Sequence, residues 1–409
     1  MVLINVLYHH LCSLIHALAS TARPPVPQSI LRPGPTTYQK RSIFSKPWKF
    51  PHQPTNKNTA VPINSTKQGS ANRTKVDRSD NTHLTVVALE TSIVPVPALD
   101  LPAPYTYTLR SYGRTRPEEV AERIRDADVV IVTIAPLRAA ALRAEAAPRL
   151  KMVAVVASGT DCVDLAACAA RGIPVGNTPH CNAGSVAEHA VALYFAARRS
   201  VALSHGLVQK GEWGSDMLHT TLDGPDGRAP RTCREETLGI VGYGAVGKVL
   251  ETTAKSLGMK VLIAGRKGAA KVPEGRTPFA ELIRESSVVV LCLPRAPDTR
   301  DLISDAELYA MKPYAVIVNV SRGGIVDEKA LVEALKSKRI AGYGTDVYEA
   351  EPANLDNSLL IGPDVAGLNI ITTPHVAWCA SDTIANYNRA LKENIAEWLT
   401  TGQPKYPVI

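Results

Sequence analysis

Leu238-Gly239-Ile240-Val241-Gly242-Tyr243-Gly244-Ala245-Val246-Gly247-Lys248 is the stretch from which the fold can be read. Its apolar opening reads as a buried parallel strand. The strand runs into G-x-G-x-x-G, supplied by Gly242, Gly244 and Gly247, and helical sequence follows to about Gly258. In this motif the first glycine permits the tight turn and the second lets a pyrophosphate approach the backbone. The third lets the helix pack close on the strand. The helix start, with Ala245 and Val246 in its first turn, offers unpaired N–H groups and a positive dipole end to phosphates. A second apolar run, Lys260-Val261-Leu262-Ile263-Ala264, follows as the next strand. That is the context the motif requires, and a dinucleotide site is expected here.

The rest of the chain supplies the frame. Thr85–Leu89, Val129–Val132, Met152–Val156 and Ile173–Val175 read as strands ahead of the motif, with a helix at about 117–125 between the first two. Ser287–Leu293, Ala315–Val320, Ala341–Val347 and Leu368–Thr373 read as strands after it. Strands alternating with helices imply parallel sheets covered on both faces. The expected fold class is α/β: two doubly wound parallel-sheet (Rossmann-like) domains with a cleft between them, after a disordered N-terminal extension. The expected division is 1–83 for the extension, 84–184 for a first domain completed by 376–409, and 185–375 for the nucleotide-binding domain. A helix from about Ser185 to Arg199 crosses between the domains, with His189 read as a packed helix residue. A last helix, about Asp382–Leu399, returns to the first domain.

Charge and cysteine content exclude several classes. The formal charge is +8, but residues 1–80 alone hold eleven Lys/Arg against Asp77 and Asp80. The remainder holds 35 basic and 36 acidic residues, so the folded part carries no basic surface for nucleic acid. Seven cysteines without CxxC spacing read as free thiols in a reducing compartment, and no metal site is expected. Residues 1–80 are rich in Pro, Ser, Thr and Asn, with no acid before Asp77. They are expected to lack a core. Three readings stay open for them: a dispensable or misassigned start, a mitochondrial transit peptide, and a secretory leader. The histidines at 9, 10 and 16 make the first segment a poor membrane span. A cytoplasmic location is expected, with mitochondria as the alternative.

Ligands of such sheets bind beyond the carboxyl ends of the strands. Three reactive residues arrive there from three strands: Arg322 after the strand at Val316, Glu351 after the strand at Gly342, and His375 after the strand at Ile370. The motifs Gly242–Gly247, Asn319–Asp327 (NVSRGGIVD), Gly344–Pro352 (GTDVYEAEP) and Thr373-Pro374-His375 resemble the D-isomer-specific 2-hydroxyacid dehydrogenase family over about residues 84–409. The stretch His375-Val376-Ala377-Trp378 looks most like the glycerate dehydrogenase and hydroxypyruvate reductase branch. Arg322 and Glu351 stand 29 positions apart, which fits the family spacing.

The resemblance implies a hydride transfer between a nicotinamide cofactor and a small 2-oxo or 2-hydroxy acid, in a homodimer. It agrees with chemistry in giving Arg322 the substrate carboxylate, His375 the proton, and Glu351 the orientation of the histidine. It implies that Ser158 and Gly159 present backbone N–H groups to the carboxylate, that Asp346 accepts from the nicotinamide amide, and that Trp378 lies near the pocket. Leu293 and Ser321, at strand ends, complete the expected cofactor contacts. A nucleotide-sensing, corepressor-like binding protein of the same fold is the alternative, which turnover would distinguish.

The second strand of the nucleotide fold ends in Gly265-Arg266-Lys267, where an acid would accept from the ribose of NAD. The acid is absent and Arg266 and Lys267 can meet a 2′-phosphate. NADPH is therefore expected to be preferred, with NADH possible. A chain shortened to begin at Asp80 is expected to fold and turn over like the full chain, since residues before it lie outside the family pattern. Loss of soluble protein or of activity on that truncation would contradict this.

Overall fold

A computed structural model describes residues 82–409, apart from Ser215 and Met217. The expectations for the N-terminal extension, including its disorder and any targeting role, lie outside the described residues. Two all-parallel sheets carry the fold. The first contains β1 (His83–Ala88), β2 (Thr106–Ser111), β3 (Val129–Val132), β4 (Met152–Val155) and β5 (Val175–Gly176), in the order β2-β1-β3-β4-β5. The second contains β6 (Thr237–Val241), β7 (Lys260–Ile263), β8 (Val288–Leu291), β9 (Val316–Asn319), β10 (Gly342–Thr345) and β11 (Ile370–Thr372), in the order β11-β10-β9-β8-β6-β7. This is the doubly wound α/β class read from the sequence.

The central strands are continuous apolar runs because both faces are covered. In β8, Val288 and Val290 face one core and Val289 and Leu291 the other. The first of those cores includes Ala187, Ala190, Leu193 and Tyr194 of the helix Ala183–Arg198. That helix follows the first sheet in the chain and packs on the second. Arg198, near its end, is buried in an ion pair 2.5 Å from Glu236, and its guanidinium donates to the Tyr314 and Ser287 carbonyls at 2.7 and 3.0 Å. A buried charge stays ionised only with such partners. The helix Ser381–Thr401 returns: Tyr387, Leu391, Ile395 and Trp398 join Val86, Ile131, Met152 and Ala154 in one core of the first sheet.

Strand β2 is not among the strands read from the sequence. It pairs with β1 in parallel, His83 opposite Thr106, at the edge of the sheet. Its sequence, TYTLRS, alternates and leaves much of its surface exposed, so it lacks the apolar run that reveals buried strands. The expected helix at 117–125 splits into a 3-10 turn at Pro117–Glu119 and a short α-helix, Val120–Ile124. Among the described residues the six cysteines are unpaired, and no helix is long and apolar enough to cross a membrane.

Trp398→Ala is expected to remove about 3–5 kcal/mol, the cost of truncating a buried aromatic residue. The effect should appear as a lower urea midpoint. An unchanged midpoint would mean that the C-terminal helix does not support the first sheet.

Candidate functional site

The glycine turn is built by close approach. Gly242 has φ +97°, and a Cβ there would lie 2.5 Å from the Cys292 carbonyl oxygen and 2.8 Å from Leu293 Cβ. A Cβ on Gly247 would lie 2.5 Å from the Gly242 carbonyl oxygen. The first and third glycines are thus required by packing between β6, the loop after β8 and the helix Ala245–Ser256. Gly244 differs: a Cβ there would meet nothing within 4 Å. It caps that helix without a side-chain hydrogen bond. Open space beside uncapped N–H groups fits a dinucleotide pyrophosphate, with Ala245, Val246 and Leu293 around the turn.

Beyond β7, Gly265 is buried and bonded through its N–H to the Thr277 carbonyl at 2.8 Å. Arg266 is exposed and paired with Asp298. Lys267 points elsewhere: its Nζ lies 2.7 Å from Glu307 and donates to the Leu302 carbonyl at 3.0 Å. Among the described residues, the Arg266 side chain is paired with Asp298 alone, whereas Lys267 has two partners.

At the carboxyl end of β9, Asn319 shapes the turn that presents Arg322. Its Oδ1 accepts from the Ser321 N–H at 3.1 Å and hydroxyl at 2.8 Å, and its Nδ2 donates to the Arg322 carbonyl at 2.9 Å. Ser321 is therefore a buried turn residue whose hydroxyl is already bonded. Its carbonyl accepts from Arg322 Nη1 at 2.7 Å. Gly323 sits against the Tyr348 carbonyl, where no Cβ fits. On the other sheet, the loop after β4 brings Gly159 against Arg322 Nη2 and Asp161 Oδ2 to 3.0 Å from Arg322 Nε. Ser158 Oγ donates to Asn182 Oδ1 at 2.9 Å.

His375 Nδ1 lies 2.7 Å from Glu351 Oε2. A carboxylate only accepts, so Nδ1 carries the hydrogen and Nε2 is left for another partner. The hydrogen bond to Glu351 raises the His375 pKa above its ordinary value; burial and the Arg322 charge oppose it without prevailing. Burial pushes Glu351 upward, but the hydrogen bond and charge of His375 outweigh this and hold it below the usual carboxylate range. Glu351 Oε1 also accepts from the Tyr348 N–H at 3.0 Å. Arg322 acts electrostatically on both residues. The three side chains thus share one charged cluster.

His375 has φ +53°, in the left-handed region. Asp346 holds it there. The Asp346 carbonyl accepts from the His375 N–H at 2.9 Å, Oδ1 accepts from Val376 N–H at 2.9 Å, and Oδ2 from Ala377 N–H at 2.8 Å. Asp346 is 1% exposed. Its carboxylate is bonded into the loop that carries His375. Trp378 braces the same loop. Its indole N–H donates to the His375 carbonyl at 2.9 Å and its ring packs beside Tyr387 in the first-sheet core, centroids 6.2 Å apart.

Sequence reading missed three contributors. Asn319 opens the NVSRGGIVD motif and Asp161 follows Gly159 by two positions, and neither has a role assigned from the sequence. The third is a half-buried chain of hydrogen bonds: Thr373 Oγ1 donates its one hydrogen to Asp346 Oδ1 at 2.6 Å, so His189 Nε2, 2.9 Å from Thr373 Oγ1, is the donor to that hydroxyl. No local signal marks His189, which lies 184 positions from Thr373.

Comparison with known proteins agrees with this arrangement. A family model described as D-isomer specific 2-hydroxyacid dehydrogenase, NAD binding domain, matches residues 191–377. A glycerate dehydrogenase from Methylorubrum extorquens is 36% identical over 321 residues, covering 78% of this chain and 97% of the relative. A hydroxypyruvate reductase from Blautia hydrogenotrophica is 32% identical over 289 residues, covering 69% and 85%. The solved structure of an NADPH-dependent glyoxylate/hydroxypyruvate reductase from Sinorhizobium meliloti, in complex with citrate, superposes with TM-score 0.63 at 25% identity, covering 80% of this chain and 97% of that one. With the glycine turn, the His375–Glu351 pair and the Arg322 turn at one end of the sheets, the chain belongs to the D-isomer-specific 2-hydroxyacid dehydrogenase family of NAD(P)-dependent oxidoreductases acting on CH–OH groups.

Proposed function

We propose that this enzyme uses NADPH in preference to NADH to reduce a small 2-oxo acid of the hydroxypyruvate or glyoxylate type to the D-2-hydroxy acid. The observation that carries the reading is the His375–Glu351 pair at 2.7 Å within the electrostatic reach of Arg322. In this reading residues 84–184 with 376–409 form the substrate side and 185–375 the nucleotide side. When bound, the nicotinamide supplies the hydride. Arg322 holds the substrate carboxylate through its planar fork, and the N–H groups of Ser158 and Gly159 meet it from the first sheet. His375 delivers the proton from Nε2 to the carbonyl oxygen as the hydride reaches the carbon. The imidazole left behind is neutral and keeps its Nδ1–H on Glu351, which maintains the tautomer and ring orientation for reprotonation from solvent. Asp346, Thr373 and Trp378 position the histidine through its loop and do not touch the reacting atoms. The nucleotide reading rests on the missing acid at Gly265 and on Arg266, which can exchange Asp298 for a 2′-phosphate.

Replacing His375 with Ala is expected to lower kcat by roughly 10²–10⁴-fold while nucleotide affinity is kept. Reduction needs protonated His375, whose pKa is raised, so activity holds at low pH and falls as pH rises through that value. Glu351→Gln removes the raising influence and should move this fall to lower pH. An unmoved pH profile would break the assignment. Arg322→Lys should raise KM for the 2-oxo acid, because a point charge cannot reproduce the fork.

Nucleotide preference has its own test. Arg266→Ala should raise KM for NADPH and spare NADH, whereas Asp298→Asn should free Arg266 and lower KM for NADPH. Gly265→Asp is a poor reciprocal probe, since its Cβ would lie 2.9 Å from Val272 Cγ1. Equal kcat/KM for both nucleotides in the unmodified enzyme would refute the preference.

A further inference from the structure

Arg322 has five N–H donors on three nitrogens, and only certain edges of its plane can take a carboxylate bidentately. Nη1 already donates to the Ser321 carbonyl at 2.7 Å. That bond takes one of the two Nη1 hydrogens, and the Nε–Nη2 edge is the one that faces the loop after β4. Asp161 Oδ2 sits on that edge, 3.0 Å from Nε, while Gly159 lies against Nη2 and leaves room there only because it has no Cβ. Asp161 comes from the loop after β4 and Arg322 from the turn after β9, so the pair joins the two sheets across 161 positions of chain. The Asp161 side chain is 66% exposed and that of Arg322 33%. The Asp161 carboxylate is thus open to solvent.

We propose that Asp161 is a specificity-determining residue: its carboxylate occupies the Nε edge of the Arg322 fork until the substrate carboxylate displaces it, and it then disfavours 2-oxo acids that bear a second carboxylate. The proposal rests on Arg322 as the carboxylate anchor. Both consequences follow from charge and geometry. The incoming carboxylate competes with an internal one for the same N–H groups, so every substrate binds more weakly than the fork alone would allow. Once displaced, Asp161 stays on its short loop beside the anchored end of the substrate. A second carboxylate on the substrate meets it as a like charge, whereas a hydroxyl can donate to it. The internal carboxylate therefore separates monoacids from diacids without any steric wall.

The test uses the holoenzyme with its reduced nucleotide and oxamate, an unreactive carboxylate analogue of small 2-oxo acids, titrated by calorimetry. Asp161→Asn keeps the shape and removes the charge, and Asp161→Ala removes the competing acceptor altogether. Both should tighten oxamate by about two- to fivefold, the range of an exposed ion pair. Both should also lower the ratio of KM for 2-oxoglutarate to KM for glyoxylate, with KM moving more than kcat. Unchanged or weaker oxamate binding in both variants, or an unchanged KM ratio, would overturn the proposal; weaker binding would make Asp161 an aligning partner of Arg322 instead. Arg322→Lys separates this from the underlying reading. If that variant leaves KM unaltered, the anchor itself is wrong. If it raises KM while the Asp161 variants do nothing, only the present proposal falls.

Discussion

The buried carboxylate of Asp346 is the interaction on which the rest of the site depends. It stands at the end of β10 and takes the N–H groups of Val376 and Ala377, while its own carbonyl takes that of His375. Those bonds hold a non-glycine residue at φ +53°, a conformation that a free chain would leave. Thr373 adds a short hydrogen bond, backed by His189 from the crossing helix. Trp378 ties the His375 carbonyl to the first-sheet core. The histidine is thus clamped between the nucleotide-binding sheet and the other sheet by bonds within the protein. Such preorganisation lets a side chain act without being reoriented during reaction.

Charge is balanced around that clamp. Glu351 keeps His375 protonated above its ordinary range, and Arg322 pulls the other way. The Glu351 hydrogen bond prevails, so the raised pKa favours the protonated imidazole that can give up a proton. Arg322 is itself shared between the Ser321 carbonyl and Asp161. Both of these contacts are made by groups of the protein itself.

The chain passes between its sheets by helices that belong to the far side. Ala183–Arg198 leaves the first sheet and is buried on the second, fastened by the Arg198–Glu236 pair. Ser381–Thr401 returns to the first sheet. Residues distant in sequence thereby meet: Asp161 with Arg322, and His189 with Thr373. The edge strand β2, with its exposed alternating sequence, adds width to the first sheet without entering either crossing.

Much of this was legible in the amino-acid sequence. Continuous apolar runs mark strands buried on both faces, and the glycine spacing marks a turn that tolerates no Cβ, because both are local consequences of backbone sterics and burial. The positions of Arg322, Glu351 and His375 at strand ends follow from the same reading, since strand ends of a parallel sheet share one edge. Tertiary structure decided what those side chains, and their neighbours, are bonded to. Asp346 and Trp378 are turned inward to the loop, Lys267 goes to Glu307, and Asp161 takes the Arg322 fork. A carboxylate or a cation has several acceptable partners, and its choice depends on which groups the fold brings within about 3 Å. Periodicity and spacing carry no record of that distance when the partners are tens to hundreds of residues apart.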